Sequence, residues 1–242
     1  MMTLTESLSK LGMENRNQSI PESAMAAAEK MVLDALGCAM GGVNAPGIDA
    51  VVEQMRYWGG RNEATVLVAG DRLPGPNAAF ANSAMIHALD YDDIHIPGSL
   101  HITSIVVPAA LAAAEMSGSS GGEFISAVVM GVETACRLGM AYQKRRSGLQ
   151  GSGFLPSSIV GGFGAVVAGA RLFGLSIDQC VHAMGINYSQ VAGNRQALHD
   201  NSLTKRLQPA FATRSAMWAF PSMSSMMFSG FRSRCMTPLR AA

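Results

Sequence analysis

A four-residue apolar rhythm runs through most of this chain and constrains its fold more than any other feature. Ala24, Ala28, Val32, Leu36 and Ala39 recur near every fourth position, and Gly41-Gly42 closes the run. Ile48, Val51, Val52, Met55 and Trp58 follow at i, i+3, i+4 spacing, stopped by Gly59-Gly60. Residues that share one face of a 3.6-residue helix must be buried against another element. The same texture returns in Ile102–Met116, in Glu123–Leu138 and in the Gly- and Ala-rich stretch Ser157–Leu175. Ser176-Ile177-Asp178-Gln179 has the spacing of a capping box and opens another helix. Only Ala64–Val68 is short and β-branched, and Gly70–Gly75 after it reads as a turn. The expectation is an all-α, multi-helix domain over residues 19–218, with at most a short hairpin near Thr65–Leu73. Residues 1–18 are polar and expected to fray.

Composition sharpens this. The chain is 48% hydrophobic and 14% charged, against the roughly 25% charge usual for soluble domains. Much of its surface must therefore be hidden, inside a bundle or against a second copy. A net charge of +1 gives no basis for a nucleic-acid or anionic-membrane partner. The longest apolar runs, Ile102–Ala114 and Ile159–Ala170, fall short of the ~20 residues that span a bilayer. The N-terminus lacks the apolar core of a secretory peptide, so the reading is a soluble, cytoplasmic protein. Cys38, Cys136, Cys180 and Cys235 lie far apart, without C-x-x-C or zinc spacing. They read as small buried hydrophobes in a reducing compartment.

Against this bland background, His87–His101 stands out: H-A-L-D-Y-D-D-I-H-I-P-G-S-L-H. Three of the five histidines lie within these fifteen positions, together with Asp90, Asp92 and Asp93. His87 and Asp90, three apart, share a helix face, and Pro97-Gly98 breaks the chain before His101. An Asp–His pair supplies a base and an acid, and cations from the later polar segment, Lys205 and Arg206, can hold carboxylates. Metal is the competing reading, since D-x-D-D with histidines offers oxygen and imidazole ligands. A magnesium-type D-D-x-x-D, however, is broken by Ile96 at its fifth position. Blander roles are also open. His87 reads as a helical histidine bonded to a neighbour, and Asp92 and Asp93 as turn caps. His182, in V-H-A-M-G, reads as a core histidine, and Lys144-Arg145-Arg146 as a solvated loop. Gly162-Phe163-Gly164 is no phosphate loop, because no strand precedes it and no Gly-Lys-Ser follows.

Four blocks stand in a familiar order: A-L-D-Y-D-D-I-H with a histidine eleven residues after its first Asp, F-L-P-S-S-I-V-G-G-F-G-A, A-M-G-I-N-Y-S-Q-V-A-G-N, and L-T-K-R-L-Q-P-A-F-A. Over Ser19 to Trp218 the chain resembles the MmgE/PrpD family. The resemblance implies an all-helical domain with a smaller α+β lid, usually in a homodimer. It also implies a lyase that uses neither metal nor cofactor and abstracts a proton beside a carboxylate of a small polycarboxylate. A 2-methylcitrate dehydratase-like hydro-lyase is the first expectation; a family decarboxylase or epimerase is the alternative. Asp90 and His101 fall on the family's catalytic acid and histidine, and Lys205, with Arg206 beside it, on the carboxylate-binding position. Two departures matter: Ile94 where members often carry Thr, and Leu155 where they often carry His. The missing histidine tells against cis-aconitate decarboxylation. Members are about twice as long, and residues 219–242, with no acid and no helical period, resemble no part of them. The expectation is therefore a chain cut short by a frameshift, its lid absent. An inactive helical fragment or assembly module is the rival reading.

Overall fold

In the computed structural model, which describes residues 2–14, 19–146, 153–200 and 202–220, the apolar rhythm becomes helices. Among the described residues these are α1 (Leu4–Glu14), α2 (Glu22–Gly42), α3 (Ile48–Trp58), α4 (Gly75–His87), α5 (Thr103–Ser117), α6 (Gly121–Arg146), α7 (Pro156–Leu172), α8 (Ile177–Tyr188), α9 (Gln196–His199) and α10 (Thr204–Trp218). The expected hairpin is a two-stranded antiparallel ribbon, β1 (Ala64–Thr65) on β2 (Arg72–Leu73). Glu115 of α5 pins it, accepting from the Thr65 amide and hydroxyl and pairing with Arg72. The capping box also forms, with Ser176 accepting from the Gln179 amide and Gln179 from the Ser176 amide.

α5 and α7 form the middle layer. α4, α6 and α10 pack around them, and α1, α2, α3 and α8 lie outside. Small residues make this possible. On α5, Ala109, Ala110 and Ala113 are shut from solvent, as are Ala165, Ala168 and Ala170 on α7. Where α6 crosses α7 the backbones touch: a Cβ on Gly131 would meet the Gly164 carbonyl oxygen, and one on Gly164 that of Gly131. Pro108 inside α5 cannot donate to the Ser104 carbonyl one turn earlier. The buried Ser83 hydroxyl of α4 bonds that carbonyl instead, so no backbone acceptor is left bare.

Several expectations need correction. Leu4–Glu14 is not frayed but helical, packed on α8, α7 and α6, because Gly12 sits against Val167 and its carbonyl accepts from half-buried Arg171. α6 runs on past Leu138, so Lys144 lies in its last turns rather than in a loop. α6 is also long and apolar enough to cross a membrane by length and composition, which the sequence reading had denied to every segment; half of that span is buried inside this domain. Trp58 is half exposed, with the Arg214 guanidinium stacked 4.5 Å from its ring. The boundary at 218 falls short, because Ala219 and Phe220 are buried and the Phe220 ring lies 5.2 Å from that of Phe173. Of the remaining tail, residues 221–242 lie outside the described residues. His182 is an exposed residue, not a core histidine.

Candidate active site

Packing of α10 on α4, anchored by the edge-to-face pair Phe80–Phe211, brings together residues more than a hundred positions apart. α4 ends at His87, and the chain then turns through Asp90, held at φ 58°. Asp tolerates that left-handed conformation better than most side chains. A single 3-10 turn, Ile96–Gly98, follows, capped by His95, whose Nδ1 accepts from the Gly98 amide. His101 comes next, just before α5, its amide donating to the Ser157 hydroxyl of α7. Asp93 caps the start of α5 by accepting from the Thr103 amide and hydroxyl, as one of the blander readings had it. Lys205 arrives on the first turn of α10.

Asp92 is the hub. Its side chain is fully buried, and its two oxygens lie 2.8 and 3.0 Å from His87 Nδ1. His101 Nδ1 faces the same residue, 3.3 Å from its main-chain carbonyl and 3.5 Å from its carboxylate. With acceptors on both Nδ1 atoms, those nitrogens carry the protons and both Nε2 atoms turn toward the pocket. The two rings stand edge to face, 5.2 Å apart. His87 Nε2 lies 3.1 Å from Lys205 Nζ and 3.5 Å from Asp90 Oδ1. Lys205 Nζ also donates to Asp90 Oδ1, and His101 Nε2 stands 3.8 Å from that same oxygen.

The electrostatics follow. Burial alone would raise the Asp92 carboxyl, but bonds to His101 and His87 and the His87 charge outweigh it and hold Asp92 well below the carboxylate range. Burial works against Asp90 too, and Lys205 overcomes it, so Asp90 is lowered. His101 is raised, first by its bond to Asp92 and then, against burial, by the charges of Asp92 and Asp90. Asp93 is raised, because burial there outweighs its bonds to Thr103. The cluster therefore favours two carboxylates, Asp90 and Asp92, facing an ammonium and a histidine that keeps its proton.

These groups open into a pocket of about 200 Å³ whose floor is His87, His101 and Lys205 and whose apolar wall is Ile94, Leu155 and Leu198. A larger cavity of about 430 Å³ lies between the α1–α2 connection and α6. Its ionic groups, Glu133 and Arg137, are already paired with each other, so the chemistry resides in the smaller one. Of the residues singled out from sequence, the fold unites Asp90, His101 and Lys205. Arg206 does not line the pocket, and its Nη1 is enclosed without a hydrogen-bond partner. Arg195 lines it instead. Sequence reasoning passed over Arg195, although it directly follows the A-G-N block. It also took His87 and Asp92 for structural residues. The sequence carried no signal for this, because the five-residue spacing that lets Asp92 fold back on His87 is also that of an ordinary turn. One atom each from His87, Asp90, Asp92 and His101 lies within 4.8 Å of the others, a spacing that could also hold a metal ion.

The MmgE/PrpD N-terminal domain description matches residues 6–222. The chain is 30% identical to "Cis-aconitate decarboxylase-like protein oryM" of Aspergillus oryzae over 85% of its own length and 43% of that protein. It is 31% identical to a cis-aconitate decarboxylase of Aspergillus terreus, over 82% of this chain and 41% of that one. The corresponding Mus musculus protein is 27% identical over 78% of this chain and 39% of its own length. The chain thus spans about two fifths of the curated relatives it matches.

Proposed function

The chain belongs to the MmgE/PrpD family, and on that premise we propose that it supplies the catalytic floor of a lyase acting on a small polycarboxylate. One observation carries the reading: Lys205 Nζ sits between Asp90 and His87 in the pocket that His101 enters. The relatives' names favour decarboxylation over the dehydration first expected from sequence. In that reaction the bond to one carboxylate breaks, CO2 leaves, and the electron pair stays on carbon. His101, which holds its proton at Nε2 toward the pocket when charged, returns a proton to that carbon. Lys205 and Arg195 pair with the remaining carboxylates and offset the charge that develops. Leu155 and Ile94 carry no titratable group, so proton delivery falls to His87, His101 and Lys205 among the lining residues.

Because the chain spans only part of its relatives, the test reads binding as well as turnover. Cis-aconitate, citrate and 2-methylcitrate are each titrated calorimetrically into the protein and assayed for CO2 release and for water loss. Cis-aconitate binding that Lys205→Met abolishes, with CO2 as product, supports the proposal. Water loss from 2-methylcitrate without CO2 favours the hydro-lyase instead, and no binding of any of the three acids rejects the site. A homodimer is also part of the proposal; exposed Tyr57, Trp58 and Trp218 offer apolar surface for it. A monomer by light scattering would count against that part.

A further inference from the structure

We propose that His87, Asp90 and His101 form a latent zinc site whose central position is held by the Lys205 ammonium. The ligand atoms are His87 Nε2, Asp90 Oδ1 and His101 Nε2. Asp90 Oδ1 lies 3.5 Å from the first imidazole nitrogen and 3.8 Å from the second. Ligands bound tetrahedrally at about 2.0–2.2 Å stand about 3.3–3.6 Å apart, so small side-chain movements bring these atoms onto one ion. The buried Asp92 carboxylate is already in the supporting position. A metal-binding histidine ordinarily gives its other ring N–H to a carboxylate or carbonyl, which fixes the tautomer and raises the basicity of the ligand nitrogen. Here one residue does this for two rings: its carboxylate at His87 Nδ1, its main-chain carbonyl at His101 Nδ1.

The position among the three ligand atoms already belongs to a cation. Lys205 Nζ bonds Asp90 Oδ1 and stands 3.1 Å from His87 Nε2, two of the three atoms a metal would take. An ammonium is a point charge on a flexible four-carbon stem, so it can be displaced without moving the backbone. Two imidazoles with a carboxylate suit zinc or cobalt better than magnesium or calcium, which take all-oxygen shells. Arg195 and the displaced Lys205 face the same pocket and oppose a dication, so the native chain binds weakly. A metal bound there takes the atoms that position Lys205 and so competes with a carboxylate ligand. The inference concerns binding alone and holds or fails independently of the lyase reading.

The experiment titrates Zn2+ against a chromophoric chelator and records Co2+ visible absorption. The proteins are the native chain, Lys205→Met, Lys205→Met/His101→Gln, and His182→Gln as a surface-histidine control. Lys205→Met is expected to bind Zn2+ at least tenfold more tightly than the native chain and to give the intense bands of low-coordinate cobalt. Adding His101→Gln should abolish that gain, and His182→Gln should change nothing. Equal affinity in the native chain and Lys205→Met overturns the proposal, as does a double variant that binds as tightly as Lys205→Met. If circular dichroism shows Lys205→Met unfolded, the native background decides. There His101→Gln must weaken Zn2+ binding more than His182→Gln does, and equal effects overturn the proposal.

Discussion

α5 meets two different demands along its length. At its start, Thr103 bonds the half-buried Asp93, and His101 beside it faces Asp92. Two turns on, Val107, Ala110 and Ala113 are buried among other small apolar side chains. The interior is held by close approach: alanine and glycine let helices pack backbone to backbone, and each added methyl is felt. The mouth is held by charge: the buried Asp92 carboxylate is matched to imidazole and Asp90 to ammonium, because an unmatched buried charge would be costly. The interior therefore depends on size and the mouth on proton position, and substitutions should separate the two.

The largest effect is expected at the mouth and in function. His101→Gln should lower turnover of the proposed substrate by about 10²- to 10⁴-fold, the usual contribution of a positioned acid or base. Its melting temperature at pH 7 should change little. Next comes the interior. Gly164→Ala places a methyl against the Gly131 carbonyl, and should cost up to about 3 kcal/mol of stability, read by thermal or urea unfolding. Ligand affinity measured well below the melting temperature should be retained. Equal loss of affinity in both variants would erase the distinction between the regions.

A pH series sharpens the same contrast. His101 is raised from 6.5, so its contribution to stability is complete below that value and is lost as pH climbs through the raised one. Asp92 is depressed from 3.8, so its contribution is complete above that value and is lost only as pH falls through the lowered one. Stability should be greatest between about pH 4 and 6.5, and His101→Gln should remove the alkaline decline and also weaken the acid one, because His101 is among the groups that lower Asp92. Gly164→Ala should shift the whole profile down without changing its shape. The smallest effect belongs to neither region. The surface pair Arg56–Asp71 is partly solvated, and Asp71→Asn should cost less than about 1 kcal/mol.

Much of this fold was legible because helical burial leaves a period in the sequence. The α2 and α3 stripes, the Ser176 capping box and the Thr65–Leu73 ribbon are all local signals. α1 was missed because its polar residues hide a contact made by a glycine: Gly12 against Val167 shows no apolar side chain to count. The overrun of α6 was missed because Lys144 and its neighbours look like a loop wherever a helix face meets solvent. At the site, Asp90, His101 and Lys205 were legible as chemistry-bearing residues in a chain poor in charge. Arg206 was placed at the pocket because proximity to Lys205 along the chain was taken for proximity in space. One step along a helix turns a side chain about 100°, which carries Arg206 away from the pocket that Lys205 enters. The role of Asp92 lies in the fold of the loop back onto α4, and no spacing rule separates that from an ordinary turn cap.

The central claim is that the Lys205–Asp90–His87–His101 arrangement receives a carboxylate. Calorimetric titration of cis-aconitate into the native chain and into Lys205→Met at pH 6 tests it most directly, with circular dichroism confirming that both are folded. The account predicts saturable binding to the native chain and at least tenfold weaker binding to the variant. Equal affinity in the two folded proteins would contradict it.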